Sequence, residues 1–108
     1  MIYASKSPYR ISLLGGGSDI DWFVRDFGAG FALGFALERS TTVVISPRPS
    51  STGRGVLNYS SREEYLNINT ISHPLIRSAF IRLGVNYPVE LASFGDASGG
   101  CGLGGSSS

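Results

Sequence analysis

Apolar and polar positions divide the chain into short alternating segments. Ile2 to Leu14 alternates loosely and carries the β-compatible residues Ile2, Tyr3, Tyr9 and Ile11 around Pro8. It predicts an edge strand with a break, or two short strands, ended by Gly15-Gly16-Gly17. Asp21 to Phe27 predicts a helix of two turns at most, with Ser18 or Asp19 placed to cap it and Gly28 to stop it. Asp19 and Asp21 also put negative charge at its positive end. Phe31 to Leu37 and Thr41 to Ser46 predict consecutive strands, the second on the β-branched run Thr41-Thr42-Val43-Val44-Ile45, closed by Pro47 and Pro49. Ser50 to Gly55 is loop-like in composition, and Val56 to Tyr59 predicts a strand. Leu75, Ile76, Ala79, Phe80 and Leu83 form one apolar stripe at helical period, with His73-Pro74 at its start and Gly84 past its end. Pro88 to Phe94 alternates Val89, Leu91 and Ser93 against Glu90, Ala92 and Phe94, a strand running into a second glycine-rich stretch. Arg62 beside Glu63 and Glu64 reads as solvated surface.

Composition narrows the class. The chain has 108 residues, 42% hydrophobic and 16% charged, which suits one small domain or part of a larger one. Nine basic against eight acidic residues give a net charge of +1, so no electrostatic footprint for nucleic acid or an anionic membrane is present. A single cysteine, Cys101, forms no intrachain disulfide, so a reducing compartment, the cytoplasm, is the expectation. The longest weakly polar run, Gly28 to Leu37, falls well short of the roughly 20 residues that span a bilayer. Lys6 is followed by Ser-Pro-Tyr-Arg rather than an apolar core, so no secretory signal is indicated. The 15 glycines are about twice ordinary usage and are clustered, which directs attention to particular loops.

Asp96 to Ser108 contains five glycines and four serines. Glycine lets backbone N–H groups turn toward a phosphate, and serine hydroxyls add donors and a neutral oxygen for Mg²⁺. A Walker A loop is excluded, because it needs Gly-Lys-Ser/Thr and the only lysine is Lys6. Gly100, Gly102 and Gly105 satisfy G-x-G-x-x-G after a predicted strand. A dinucleotide-binding piece of the Rossmann type would require an acidic residue about 20 positions further on. A flexible Gly/Ser terminus is the plain alternative, against which Cys101 and Leu103 argue. Gly100-x-Gly102-Leu103-Gly104-x-Ser106-Ser107 resembles the central ATP-phosphate motif of the GHMP kinases. Ser7-Pro8-Tyr9-Arg10 through Gly15-Gly16-Gly17-Ser18-Asp19 is similar to that superfamily's first motif, a Pro-x-Arg strand leading into a glycine-rich, Asp-ending substrate loop. The Gly-Gly-Gly-Ser-Asp form is most similar to the sugar branch, in particular the D-glycero-D-manno-heptose 7-phosphate kinases.

The resemblance implies an α+β fold, the ribosomal-protein-S5-domain-2-like N-terminal domain with a mixed sheet and helices on one face. Residues 1–108 would be a truncated part of it, without the domain's last helix or the C-terminal domain. It implies ATP-dependent phosphorylation of a sugar or sugar phosphate hydroxyl, with ATP and Mg²⁺ as cofactors and no nucleic-acid or membrane partner. Arg10 would be catalytic, offsetting phosphoryl charge or assisting the acceptor hydroxyl. Gly16, Gly17, Ser18 and Asp19 would bind substrate, the carboxylate orienting a polyol. Gly100, Cys101, Gly102, Leu103, Gly104, Gly105, Ser106 and Ser107 would bind ATP, with Ser106 on Mg²⁺. Ser98 stands where the superfamily usually has proline, and Gly105 where it has the first serine after Gly-Leu-Gly. The rival expectation is a non-catalytic remnant. His73 reads as a cap-region residue, and Trp22, Phe23, Phe31 and Phe35 as core or cleft wall.

Overall fold

The computed structural model describes residues 1–97. Their elements are β1 (Tyr3–Leu14), α1 (Asp21–Phe27), β2 (Leu33–Pro47), β3 (Gly55–Asn58), β4 (Arg62–Tyr65), α2 (Pro74–Leu83) and β5 (Val89–Gly95). Short 3₁₀ turns lie at Gly16–Ser18, Ser50–Thr52 and Ile68–Thr70. The strands form one sheet in the order β1-β2-β5-β3-β4. Strand β3 runs parallel to β5, with Leu57 opposite Leu91, and antiparallel to β4, with Leu57 opposite Glu63. The N–H of Asp96 bonds the carbonyl of Ser40 at 3.1 Å and that of Arg48 bonds Pro88 at 2.9 Å. Numbers rise on one strand as they fall on the other, so β2 and β5 are antiparallel. The mixed α+β sheet agrees with expectation, and the parallel sheet of a dinucleotide fold is not what these strands build.

Several local expectations are corrected. Strand β1 is one unbroken 12-residue strand through Pro8. It lies at the sheet edge, where a proline is tolerated because its nitrogen owes no ladder bond on the open side. The two predicted strands around Ser40 are a single 15-residue β2. The polar run Arg62-Glu63-Glu64-Tyr65 is the other edge strand rather than plain surface, anchored by Tyr65, the one buried residue in it. Helix α1 is capped at Ile20 with no side-chain hydrogen bond, so neither Ser18 nor Asp19 caps it. Helix α2 follows its sequence closely: Pro74 opens it, His73 Nδ1 accepts from the Ile76 N–H at 3.4 Å, and left-handed Gly84 (φ 65°) closes it.

The chain divides into two compact units. Met1–Ser5 with Thr42–Phe94 contains the apolar core, in which Leu57, Ile71 and Val89 are fully enclosed with Tyr65, Phe80 and Leu91 around them. The Tyr65 hydroxyl accepts from the Val89 N–H at 3.4 Å, and burial pushes the phenol pKa up. The other unit takes Lys6–Thr41 together with, among the described residues, 95–97. Among its described residues only Tyr9 and Ser40 are buried, and Trp22, Phe31 and Phe35 are 55%, 72% and 49% exposed. Those aromatics are therefore not core in the described structure. No described helix is long and apolar enough to cross a membrane.

Candidate active site

The glycine-rich segment after β1 is shaped by contacts that glycine alone allows. Gly15 is left-handed (φ 84°), and a Cβ on it would strike the Phe31 backbone. The turn closes through Ser18 N–H to the Gly15 carbonyl at 2.9 Å. Ser18 Oγ lies 2.8 Å from the carbonyl oxygens of both Gly15 and Phe31, donating to one of them, and accepts from the Phe31 N–H at 3.0 Å. Its hydroxyl thus pins the turn to the segment entering β2.

With Ser18 so engaged and α1 capped without a side chain, Asp19 leaves the turn exposed. Among the described residues its carboxylate has no partner. Arg10, exposed on β1, has none either. Both line one cavity of about 460 Å³, walled by Ile11 and Ser12 of β1 and by residues 32–36 entering β2. Gly34 permits this approach of the two strands, since a Cβ there would come within 2.7 Å of the Ile11 carbonyl oxygen. The motif residues Arg10 and Asp19 are therefore brought together. Gly16 and Gly17 form the turn between them without lining the cavity, and Ser18 faces the backbone.

Sequence reasoning passed over two residues. Ser12 lies two positions from Arg10, so strand alternation puts it on the same face, a signal the sequence did contain. Asp96 carries the second. Its carboxylate accepts from the Ser40 N–H at 2.9 Å and the Ser40 hydroxyl at 3.2 Å. These bonds, the backbone N–H foremost, hold its carboxyl below the usual carboxylate range, with Lys6 and Arg39 adding smaller attractions. Nothing local in the sequence marks Ser40 as its partner, 56 positions away.

The expected ATP-contacting residues Gly100 through Ser107, with Ser106 on Mg²⁺, lie outside the described residues. Among those described, no three His, Cys, Asp or Glu side chains are grouped to hold a metal ion. What the cavity offers is one carboxylate, one guanidinium and one hydroxyl on an open floor otherwise made of Ile11, Gly34 and the apolar residues Ala32, Leu33, Phe35 and Ala36. A carboxylate accepts hydrogen bonds from hydroxyl groups, and a guanidinium pairs with negative charge.

Three solved structures share this architecture. A D-glycero-D-manno-heptose 1-phosphate kinase from Bacteroides thetaiotaomicron superposes with a TM-score of 0.77 and 24% identity over 99% of this chain. The Methanococcus jannaschii mevalonate kinase gives 0.68 and 16% over 100%. The chain has the GHMP-kinase fold. A protein assigned as a sugar kinase from Campylobacter jejuni gives 0.67 and 22% over 98%. The chain spans 38%, 37% and 36% of the heptose, mevalonate and sugar kinase chains respectively. No family model and no curated protein matches the sequence with significance.

Proposed function

We propose that this chain is the substrate-recognising N-terminal part of a GHMP-type kinase that phosphorylates a hydroxyl of a sugar or sugar phosphate of the heptose 7-phosphate kind. The observation that carries the proposal is the meeting of Arg10 and Asp19, unpartnered among the described residues, in one cavity of this fold. Asp19 accepts hydrogen bonds from sugar hydroxyls and fixes the ring, and Arg10 meets the negative charge of a phosphate group or of the transferring phosphoryl. Phosphoryl transfer depends mainly on such positioning and charge neutralisation. ATP, when bound, supplies the phosphoryl group. Gly100, Gly102 and Gly104 with Ser106 and Ser107 are proposed to hold its phosphates, on the strength of the motif. The protein would work on small molecules in the cytoplasm.

A second version is a non-catalytic remnant, in which these 108 residues bind sugar without turning it over. One experiment separates the two. The chain, and any longer product containing it, is titrated with D-glycero-D-manno-heptose 7-phosphate, fucose and galactose, then assayed with Mg-ATP for ADP release. Saturable sugar binding, weakened about tenfold or more in Asp19→Ala, supports the site. ADP release dependent on that sugar establishes the kinase, and binding without release leaves the remnant. No binding of any sugar, or binding indifferent to Asp19, removes the proposal.

A further inference from the structure

The core-bearing unit contains a second cavity, of about 600 Å³, that the proposed kinase site does not use. Its size falls within the roughly 300–1,000 Å³ of small-ligand pockets. Its wall is aromatic where the buried rings of Tyr65 and Phe80 reach it, their centroids 6.3 Å apart. Three asparagines, Asn67, Asn69 and Asn86, line it as well. Asn67 Oδ1 already accepts from the Asn69 N–H at 2.9 Å, which leaves the Asn67 amide hydrogens to donate. The side chains of Asn69 and Asn86 have no partner among the described residues.

The charge pattern of this lining is as informative as its shape. No lysine, arginine, histidine, aspartate or glutamate is among the described residues that line the cavity. A phosphate or carboxylate would find no cation there, and an amine no anion, so the lining favours a neutral ligand. A carboxamide sets an acceptor beside a donor in one plane, the complement of a ring edge that carries its own adjacent donor and acceptor. A flat ring with such an edge would bury its apolar surface against the aromatic wall while the edge meets the amides.

We propose that this cavity is a binding site for an uncharged planar heterocycle with an adjacent donor and acceptor on one edge, the chemistry of a free nucleobase or a lactam. The inference is independent of the kinase proposal, because no residue lining this cavity lines the one that holds Arg10 and Asp19.

The test titrates the full 108-residue chain, uniformly labelled with ¹⁵N, with adenosine and separately with AMP. The expected result is saturable movement of the backbone amides of Leu66, Ile68 and Val85, with AMP bound no more tightly than adenosine. Asn69→Ala and Asn86→Ala should each weaken adenosine roughly 3- to 10-fold, the range of one lost neutral hydrogen bond. Ile81→Trp, which puts bulk at the mouth from a 57% exposed position, should abolish binding without touching a core residue. Absence of movement at those amides, tighter binding of AMP, or binding unchanged in all three variants would overturn the proposal.

Discussion

Gly15 and Gly17 are two residues apart and make opposite demands on a side chain. At Gly15 a left-handed φ of 84° coincides with a Cβ position already filled by the Phe31 backbone, whereas nothing lies within 4 Å of a Cβ on Gly17. Gly15→Ala should therefore destabilise by about 1–2 kcal/mol from the backbone conformation alone, and by more from the collision. Gly17→Ala should sit within about 0.5 kcal/mol of the parent chain, a contrast that urea unfolding of the two variants measures directly. Glu63 supplies a pH-dependent counterpart. The Ser72 N–H bonds its carboxylate, and the Tyr59 hydroxyl donates to it at 3.1 Å, so its pKa is held below the ordinary 4.5, the Ser72 backbone bond contributing most. A depressed folded-state pKa means the stabilisation is complete above the ordinary value and is lost as pH falls through the lowered one. Glu63→Gln should flatten that part of the acid limb in a plot of urea midpoint against pH; an acid limb of unchanged slope would show that Glu63 contributes nothing to it.

At the scale of elements, legibility followed the range of the interactions that make each one. Helix α2 is readable because its signals are local: His73 and Pro74 at one end, Gly84 at the other, an apolar stripe between them. Strand β4 was hidden because its residues are polar, and its extended form comes from pairing with β3 rather than from propensity. Strand β2 looked like two strands because Glu38, Arg39 and Ser40 interrupt its apolar pattern, and what carries the strand through them comes from Asp96. The site divides the same way. Arg10 and Asp19 are legible through their motif, yet that Asp19 is free while Ser18 is tied down depends on Phe31, 13 positions beyond Ser18. The Ser40–Asp96 tie makes a prediction of its own. Ser40 is buried, so Asp96→Ala strands both its N–H and its hydroxyl, while Ser40→Ala removes only the hydroxyl bond. Asp96→Ala should be the more destabilising of the two in thermal or urea unfolding, and the reverse order would mean that the backbone bond is not the principal one.

For the molecule as a whole, the distribution of burial argues for unequal local stability. The residues enclosed most completely, Leu57, Ile71 and Val89, all lie in the unit formed by Met1–Ser5 and Thr42–Phe94. The unit that holds Arg10 and Asp19 buries only Tyr9 and Ser40 among its described residues and leaves Phe27, Phe31 and Leu33 exposed. Local opening is governed by how much apolar contact must be broken, so the candidate site is carried by the less protected part of the chain. Native-state hydrogen exchange should find the slowest amides on β3, β5 and α2, and faster exchange along β1 and the first half of β2. Leu57→Ala, a cavity-forming change costing about 2–5 kcal/mol, should accelerate the slow class strongly. If β1 instead exchanges as slowly as β3, the two units open together and the burial pattern is a poor guide to their stability. If β1 is fast, a sugar that binds at Asp19 should slow it selectively, because a ligand that binds only the closed form stabilises what it touches. That coupling links the stability of the second unit to the chemistry of its cavity: exchange along β1 becomes a readout of substrate binding that does not depend on turnover.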